Sequence, residues 1–193
     1  MTQALQPIPE NERSPFPEGR LAQLGVALGL IAAMVALLLL MGRHPVCPCG
    51  RVTLLQTGHD PNENSQQFAD WYSLLHVAFG MGIYAMVRWL RPHWTVGSTM
   101  LAVVFGHSIW EVAENTPWII GVFSGGVNAP HYSGDSILNS LGDSFFAFSG
   151  AAAMPFLALP VVAVVVLAIE VAVTWGVGDG FVVGTLRLLG VDV

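Results

Sequence analysis

The sequence contains no lysine and few charges of any kind. Only 10% of its 193 residues are charged, against about 25% in soluble domains, and 53% are apolar. With a mean hydropathy of +0.61, such a chain cannot cover a water-facing surface, which predicts a membrane protein. The seven basic residues are arginines scattered along the chain, and the net charge is −6. No basic patch exists, so nucleic acid is excluded as a partner.

Cysteine is almost absent too, and its two copies, Cys47 and Cys49, stand in the stretch VCPCG. A disulfide across a single proline is expected to be strained, because bridged Cα atoms prefer a wider separation. Two thiolates alone make an incomplete zinc site unless His44 or His59 joins them. The stretch favours a small structural turn ended by Gly50, and its redox state stays open.

The apolar segments are long enough to cross a bilayer as helices, which takes about 20 residues. The polar, proline-rich residues 1–20 lack the basic region of a signal peptide and are expected to form a disordered cytoplasmic tail. Residues 21–193 are predicted to form one all-α transmembrane bundle. Its five predicted spans are 21–42, 70–90, 94–115, 135–159 and 160–177.

The arginines indicate an orientation. With the N-terminus inside, the cytoplasmic segments hold a small excess of arginine, as the positive-inside rule requires. The cytoplasmic arginines would be Arg13, Arg20, Arg88 and Arg91, and the outer ones Arg43, Arg51 and Arg187. This orientation places the loop between the first two spans on the periplasmic side.

Polar side chains of four predicted spans lie at one depth. At about 1.5 Å per helical residue, they fall about 6 to 12 Å from the same membrane face. The residues at this level are His76, His107, Glu111, Asn139, Asp143 and Glu170. Ionised groups in hydrocarbon cost at least a few kcal/mol, so they turn inward and find partners. The pattern predicts a polar chamber that opens to one side of the membrane.

On each of two predicted helices the polar groups lie along one face as a stripe, so their side chains could act on the same metal ion or substrate. The stripes are His107, Glu111 and Glu114, spaced i, i+4, i+7, and Asp135, Asn139 and Asp143, spaced i, i+4, i+8. His107, Glu111 and Asp143 are candidate ligands of a divalent metal ion, Zn²⁺, Mn²⁺ or Fe²⁺. Glu111, Glu114 and Asp143 are candidate catalytic acids or bases. The candidate binding residues are His76, Asp135, Asn139 and Glu170.

Two alternatives to a metal or catalytic site stay open. The polar groups could simply pair with one another and hold the helices together, as His–Glu and Asn–Asp pairs do. They could also line a path for protons or a small solute.

Four motifs in this order resemble an uncharacterised family of small bacterial inner-membrane proteins. They are MGRHPVCPCG, ENSQQFADWYSLLH, WEVAEN and GDSILNS, which together cover roughly Met41 to Asp143. Glu170 matches a further glutamate of the family. The stretch NSLGDSFFAFSGA is also faintly similar to VanZ-like membrane proteins. The resemblance implies a membrane fold, a bacterial inner-membrane location and a site, but no particular reaction.

The chain differs from the family pattern at three places. The family usually has a glutamate where this chain has His107. It has an R-Y-R group where this chain has residues 121–123. After the last span it has a polar stretch, of which only Asp179 is present here. Without these arginines an anionic head group would lack counter-ions. The difference favours an accessory or structural subunit, with the bilayer and other membrane subunits as partners. The alternative is an intramembrane enzyme, metal-dependent or not, acting on a lipid or lipid-linked substrate from the periplasmic face.

Overall fold

A computed structural model of the chain describes residues 12–58, 60, 62–124 and 131–193. Within these ranges the protein is all α-helical, with no strand, as the sequence predicts. The seven α-helices are α1 (Arg20–Leu40), α2 (Trp71–Leu90), α3 (Val96–Glu114), α4 (Pro117–Ser124), α5 (Ile137–Ala153), α6 (Leu159–Val177) and α7 (Phe181–Leu188). A 3₁₀ turn, Met154–Phe156, follows α5.

Four helices are long and apolar enough to cross a membrane, which confirms a membrane protein. They are α1, Ser73–Leu90 within α2, α3 and α6. The remaining predicted span, 135–159, contains α5, which has 17 residues and is not among these four. The number of five spans therefore stays a prediction.

Polar residues at the starts of three predicted spans lie just outside the helices and cap them. Asp70 accepts hydrogen bonds from the backbone N–H of Tyr72 (2.8 Å) and Ser73 (3.3 Å), and the Ser73 hydroxyl accepts one from the Asp70 N–H (3.1 Å). This reciprocal pair is a capping box. The side-chain oxygens of Thr95 and Ser136 cap α3 and α5 by accepting the backbone N–H of Ser98 and Asn139, each at 3.1 Å. These side chains satisfy backbone donors that a helix start leaves free.

The helix directions bring five helix ends to one end of the bundle, here called the loop end. The backbone N–H of Ile137 donates to the carbonyl of His44 (2.8 Å), which joins the start of α5 to the chain after α1. The Ser136 N–H donates to the carbonyl of Ser65 (3.1 Å), just before α2. The end of α6 packs on the start of α2, where Gly176 lies against the ring of Trp71. The starts of α2 and α5 and the ends of α1, α3 and α6 thus share one face.

The segment before α1 lies at the opposite end of the bundle. Glu12 is 3.2 Å from the His93 ring, and Phe16 packs edge-on against Trp94 with ring centroids 6.0 Å apart. The Gln23 side chain donates to the carbonyl of Pro17 (3.1 Å). Residues 1–11 of the predicted disordered tail, 1–20, lie outside the described residues. In its described part, residues 12–19, Glu12 and Phe16 contact the α2–α3 connection and Pro17 contacts α1.

Helices α2 and α5 approach so closely that their backbones touch at glycines. A Cβ on Gly80 would overlap the carbonyl of Ala147, and one on Gly150 would overlap the carbonyl of Val77. Small residues at such contacts let membrane helices pack through their backbones. The same interface continues into the main apolar cluster, where Met81 packs with Ala151.

We expect Gly80→Ala to destabilise the protein, because the added methyl group must push α2 away from α5. The free energy of unfolding should fall by about 1–3 kcal/mol, the usual cost of overpacking. Thermal unfolding in detergent micelles, followed by circular dichroism, measures the change. The matched control is Gly82→Ala on the same helix, where a Cβ meets nothing within 4 Å. An equal loss in both variants would contradict the proposed backbone contact.

Candidate metal centre and adjoining cavity

The structure brings four of the predicted polar residues together inside the bundle. His76 comes from α2, His107 and Glu111 from α3, and Asp143 from α5. All four side chains are buried, and Glu111 is 0% exposed. The common depth predicted from the sequence is therefore a real layer near the loop end, formed by three helices.

Three atoms of this cluster, here called the ligand triangle, converge on one point. They are Nδ1 of His76, Nε2 of His107 and Oε1 of Glu111. The two nitrogens are 2.9 Å apart, and the Glu111 oxygen is 3.3 Å from His107 and 3.8 Å from His76. Ligands of a tetrahedral zinc ion, with bonds of about 2.0–2.1 Å, stand about 3.3 Å from one another. The triangle thus has the spacing of three ligands of one small cation.

Glu111 is not satisfied by the protein alone. Among the described residues, neither of its carboxylate oxygens has a hydrogen-bond partner, although both are fully buried. The facing nitrogens of His76 and His107 are instead within hydrogen-bond distance of each other. A buried carboxylate without a partner is costly. The polar contacts of Glu111 are therefore the two imidazoles, 3.3 Å and 3.8 Å from its Oε1, and a cation bound between the three groups would contact all of them.

Asp143 lies behind His76 and outside the triangle. Its Oδ2 is 3.6 Å from Nε2 of His76, the nitrogen that points away from the triangle. Its Oδ1 accepts a hydrogen bond from the Ser73 hydroxyl (2.7 Å), which holds the carboxylate in place. At this distance the two groups are not hydrogen-bonded, but a carboxylate that closes the gap would fix the ring orientation and the tautomer of a metal-binding histidine. In the predicted ligand set of His107, Glu111 and Asp143, the structure puts His76 in the place of Asp143.

Two other predicted residues, Asp135 and Asn139, organise the loop end. Asp135 accepts hydrogen bonds from the Asn115 side chain (2.6 Å) and the Tyr132 hydroxyl (3.0 Å), and so ties the end of α3 to the start of α5. Asn139 donates to the carbonyl of Gln67 (2.8 Å). Neither contact involves the ligand triangle.

Glu170 lies away from the cluster. Its two carboxylate oxygens accept the backbone N–H groups of Phe181 and Val182, each over 2.9 Å. These groups start α7, so Glu170 acts as a cap for that helix. The depth of Glu170 along α6 could be predicted, but its direction around the helix depends on where α7 packs.

A cavity of about 300 Å³, here called the aromatic cavity, adjoins the triangle at the loop end. His76 and Glu114 both line it. Its six aromatic lining residues are Tyr72, Phe79, Trp110, Phe123, Tyr132 and Phe181. None of these six rings is among the site residues predicted from the sequence. Tyr72 and Phe79 stand on the same face of α2 as His76, at i−4 and i+3, and this spacing was the available signal.

The cysteines form a disulfide in the loop before α2. Their Cα atoms are 5.1 Å apart, within the normal range for a bridged pair, so the expected spacing problem does not arise. The alternative zinc site loses its thiolates, and His59 lies outside the described residues. Nearby, Arg51 pairs with Glu63, which anchors the loop.

Comparison with known proteins places this arrangement in a bacterial context. A family profile described as "Protein of unknown function (DUF2585)" matches residues 38–191. A UPF0314 protein of Novosphingobium aromaticivorans is 40% identical, over 89% of this chain and 87% of the relative. A UPF0314 protein of Sphingopyxis alaskensis is 36% identical, over 85% of this chain and 87% of the relative. A UPF0314 protein of Agrobacterium fabrum is 35% identical, over 86% of this chain and 83% of the relative. No solved structure matches.

We expect stability to fall as the pH rises through the titration of Asp135. Burial raises the pKa of this carboxyl to about 7, against the opposing hydrogen bonds from Asn115 and Tyr132. Burial likewise raises the pKa of Asp70 to about 6. A raised carboxyl pKa means that the folded state holds more protons than the unfolded state between the unfolded value of 3.8 and the folded value. The stabilisation is therefore complete below about pH 4 and is lost towards pH 7.

Thermal unfolding between pH 5 and 8 tests this expectation. The free energy of unfolding should decrease by an amount on the order of 2 kcal/mol across this range. Asp135→Asn should flatten part of the slope, and Asp192→Asn, at an exposed position, should leave it unchanged. Stability that rises with pH in the wild type would contradict the assignment.

Proposed function

This chain belongs to the DUF2585 family, whose profile covers the whole ligand triangle, and we propose that it is a metal-dependent intramembrane enzyme. Its substrate is a lipid or a lipid-linked molecule that approaches from the loop end. The observation that carries the proposal is the convergence of His76, His107 and Glu111, with Glu111 unpartnered and buried.

Three protein ligands favour a catalytic centre over a structural one. Structural zinc sites are closed by four protein ligands, whereas catalytic sites keep one position for water or substrate. Here the fourth residue of the cluster, Asp143, faces the back of His76, so the triangle itself offers three ligands. His76 also lines the aromatic cavity, which supplies a route for a substrate. Two imidazoles and one carboxylate suit Zn²⁺, with Mn²⁺ or Fe²⁺ as the alternatives.

The protein groups around the centre have separate roles in this proposal. A metal ion held by His76, His107 and Glu111 would activate a water molecule as the nucleophile. Asp143 is a positioning residue that holds the His76 ring. Glu114, one turn beyond Glu111 and in the cavity wall, is the candidate general base, which would accept a proton at its carboxylate.

The proposed location is the bacterial inner membrane, with the N-terminus in the cytoplasm and the loop end in the periplasm. The excess of arginine at the opposite end supports this orientation. The Cys47–Cys49 disulfide supports it independently, because disulfides persist in oxidising compartments such as the periplasm.

We expect the purified chain to bind one Zn²⁺, and Glu111→Gln to weaken this binding strongly, because the amide removes the anionic ligand. The loss should be at least the roughly 10–100-fold that removal of an outer-shell partner costs. Metal analysis after dialysis against a zinc buffer measures stoichiometry and affinity. Zn²⁺ should also raise the unfolding temperature of the wild type and not that of the variant.

The matched control for Glu111→Gln is Glu170→Gln, which changes a membrane glutamate that caps α7. This control should bind zinc as the wild type does. Zinc binding that is equal in all three proteins, or absent from the folded wild type, would overturn the metal centre.

A second candidate function is the accessory subunit, and the outer face of α1 favours it. Gly25 and Gly29 form a G-x-x-x-G pair on this helix, and a Cβ at either position meets nothing within 4 Å. Only 11% of the α1 span is buried within the chain. Exposed small residues at this spacing are typical of faces that pack against another transmembrane helix. The partner would be another membrane subunit that contacts α1.

We expect Gly29→Leu to break such an assembly, because the larger side chain prevents close approach of the helices. Cross-linking in native membranes, followed by purification in mild detergent and light scattering, shows whether the chain migrates with a partner. The matched control is Ala163→Leu on the exposed face of α6, which should leave the assembly intact. A wild-type chain that always runs alone would contradict the subunit role.

A further inference from the structure

The aromatic cavity has an unusual wall for a membrane protein. Its six rings come from α2, α3, α4, α7 and the connection before α5. Two pairs of these rings pack against each other, each at an angle. Phe79 and Trp110 have centroids 5.8 Å apart at 42°, and Phe123 and Tyr132 have centroids 6.4 Å apart at 71°. Ring faces carry negative electrostatic potential.

The ionisable groups of the cavity wall include two carboxyl groups. No lysine or arginine is among its described lining residues. Asp179 lines the wall, but its carboxylate is neutralised by Arg187, whose guanidinium lies 2.6 Å away. In the part of the chain that the structure describes, Glu114 forms no ion pair. The cavity therefore offers one carboxylate without a counter-cation, surrounded by aromatic rings.

This chemistry selects the charge of a ligand. An anionic head group needs the donors of arginine or lysine, which the wall lacks. A neutral apolar ligand would bury Glu114 without compensating it. A methylated ammonium group satisfies both features, since cation–π attraction from several rings is the usual way to bind it and the carboxylate balances its charge.

The location indicates that the cation belongs to an amphiphile. His76 lies six residues after Asp70, so the cavity floor is about 9 Å into the bundle from the loop end. The short helix α7 forms the outer wall, with the half-exposed Phe181 and Leu188 at its ends. A head group in the cavity therefore stands at the depth of the membrane interface, and its alkyl chain can extend along the apolar surface beside α7.

We propose that the aromatic cavity binds the quaternary ammonium head of a membrane amphiphile. The head lies between Trp110 and the rings around it, and Glu114 balances its charge. This ligand deepens the proposed function by naming the class of molecule presented to His76. None of its contacts requires a metal ion, so the two proposals can fail separately.

The experiment measures ligand binding by isothermal titration in maltoside micelles, with the protein treated with a chelator. The probes are choline, its neutral isostere 3,3-dimethylbutan-1-ol, and dodecyltrimethylammonium compared with dodecyl sulfate. We expect saturable binding of one dodecyltrimethylammonium per chain, and choline binding at least tenfold tighter than its neutral isostere. If choline binds as tightly as dodecyltrimethylammonium, the natural ligand would be a free, water-soluble quaternary ammonium compound. Much weaker choline binding would indicate the membrane amphiphile.

Variants separate a cation site from a merely apolar one. Trp110→Leu and Glu114→Gln should each weaken dodecyltrimethylammonium binding at least tenfold, whereas Trp110→Phe, which keeps a ring, should retain most of it. The matched controls are Trp118→Leu, at a position 68% exposed on α4, and Glu18→Gln, at an exposed position before α1. Both should bind as the wild type does.

Two outcomes would overturn the cation site. Equal binding of choline and the neutral isostere would show an apolar pocket, and preference for dodecyl sulfate would show the opposite charge selectivity. Ammonium binding that survives in a protein without any zinc affinity would keep this inference and remove the metal centre. Zinc binding without ammonium binding would do the reverse.

Discussion

The backbone contact between α2 and α5 is the constraint on which the rest of the structure depends. Gly80 and Gly150 leave no room for a Cβ, so the two helices run side by side with their backbones in contact, and Gly142 of α5 lies equally close to the carbonyl of Phe68, just before α2. This separation allows the Ser73 hydroxyl to reach Asp143, and it sets Asp143 behind the ring of His76. The orientation of that ring then decides which of its nitrogens faces α3. A wider spacing would leave Asp143 as an unpaired carboxyl inside the membrane.

The second constraint comes from α3, which contributes both His107 and Glu111 on a single face. Their spacing of four residues puts the carboxylate one turn beyond the imidazole, close enough to share a ligand but not positioned to hydrogen-bond it. The histidine nitrogens face each other, and the carboxylate is left over. Pairing between helices would be complete without Glu111, and an apolar residue there would remove the cost of burying it. The proposed metal ion would give this carboxylate a partner.

Much of this arrangement could be predicted from the sequence, because it depends on distances along helices. The all-α class follows from composition and the length of the apolar segments. The shared depth of His76, His107, Glu111 and Asp143 follows from the rise per residue once helix ends are placed. The direction of Glu170 around α6 could not be predicted in this way, since it is set by the docking of α7. The aromatic cavity was missed for the same reason: Tyr132 and Phe181 reach it from segments whose positions depend on long-range packing.

The charges of the two proposed ligands are consistent with each other. In the interior of a membrane protein, any uncompensated charge is expensive, so a site must approach neutrality when its ligands are bound. The carboxylates of Glu111 and Asp143 would balance a dication at the ligand triangle, since histidines bind metals in the neutral form. Of the two carboxylates that line the aromatic cavity, Asp179 is paired with Arg187, and a single ammonium group would balance Glu114. The metal ion and the cationic head group thus use different carboxylates, and neither needs to displace the other.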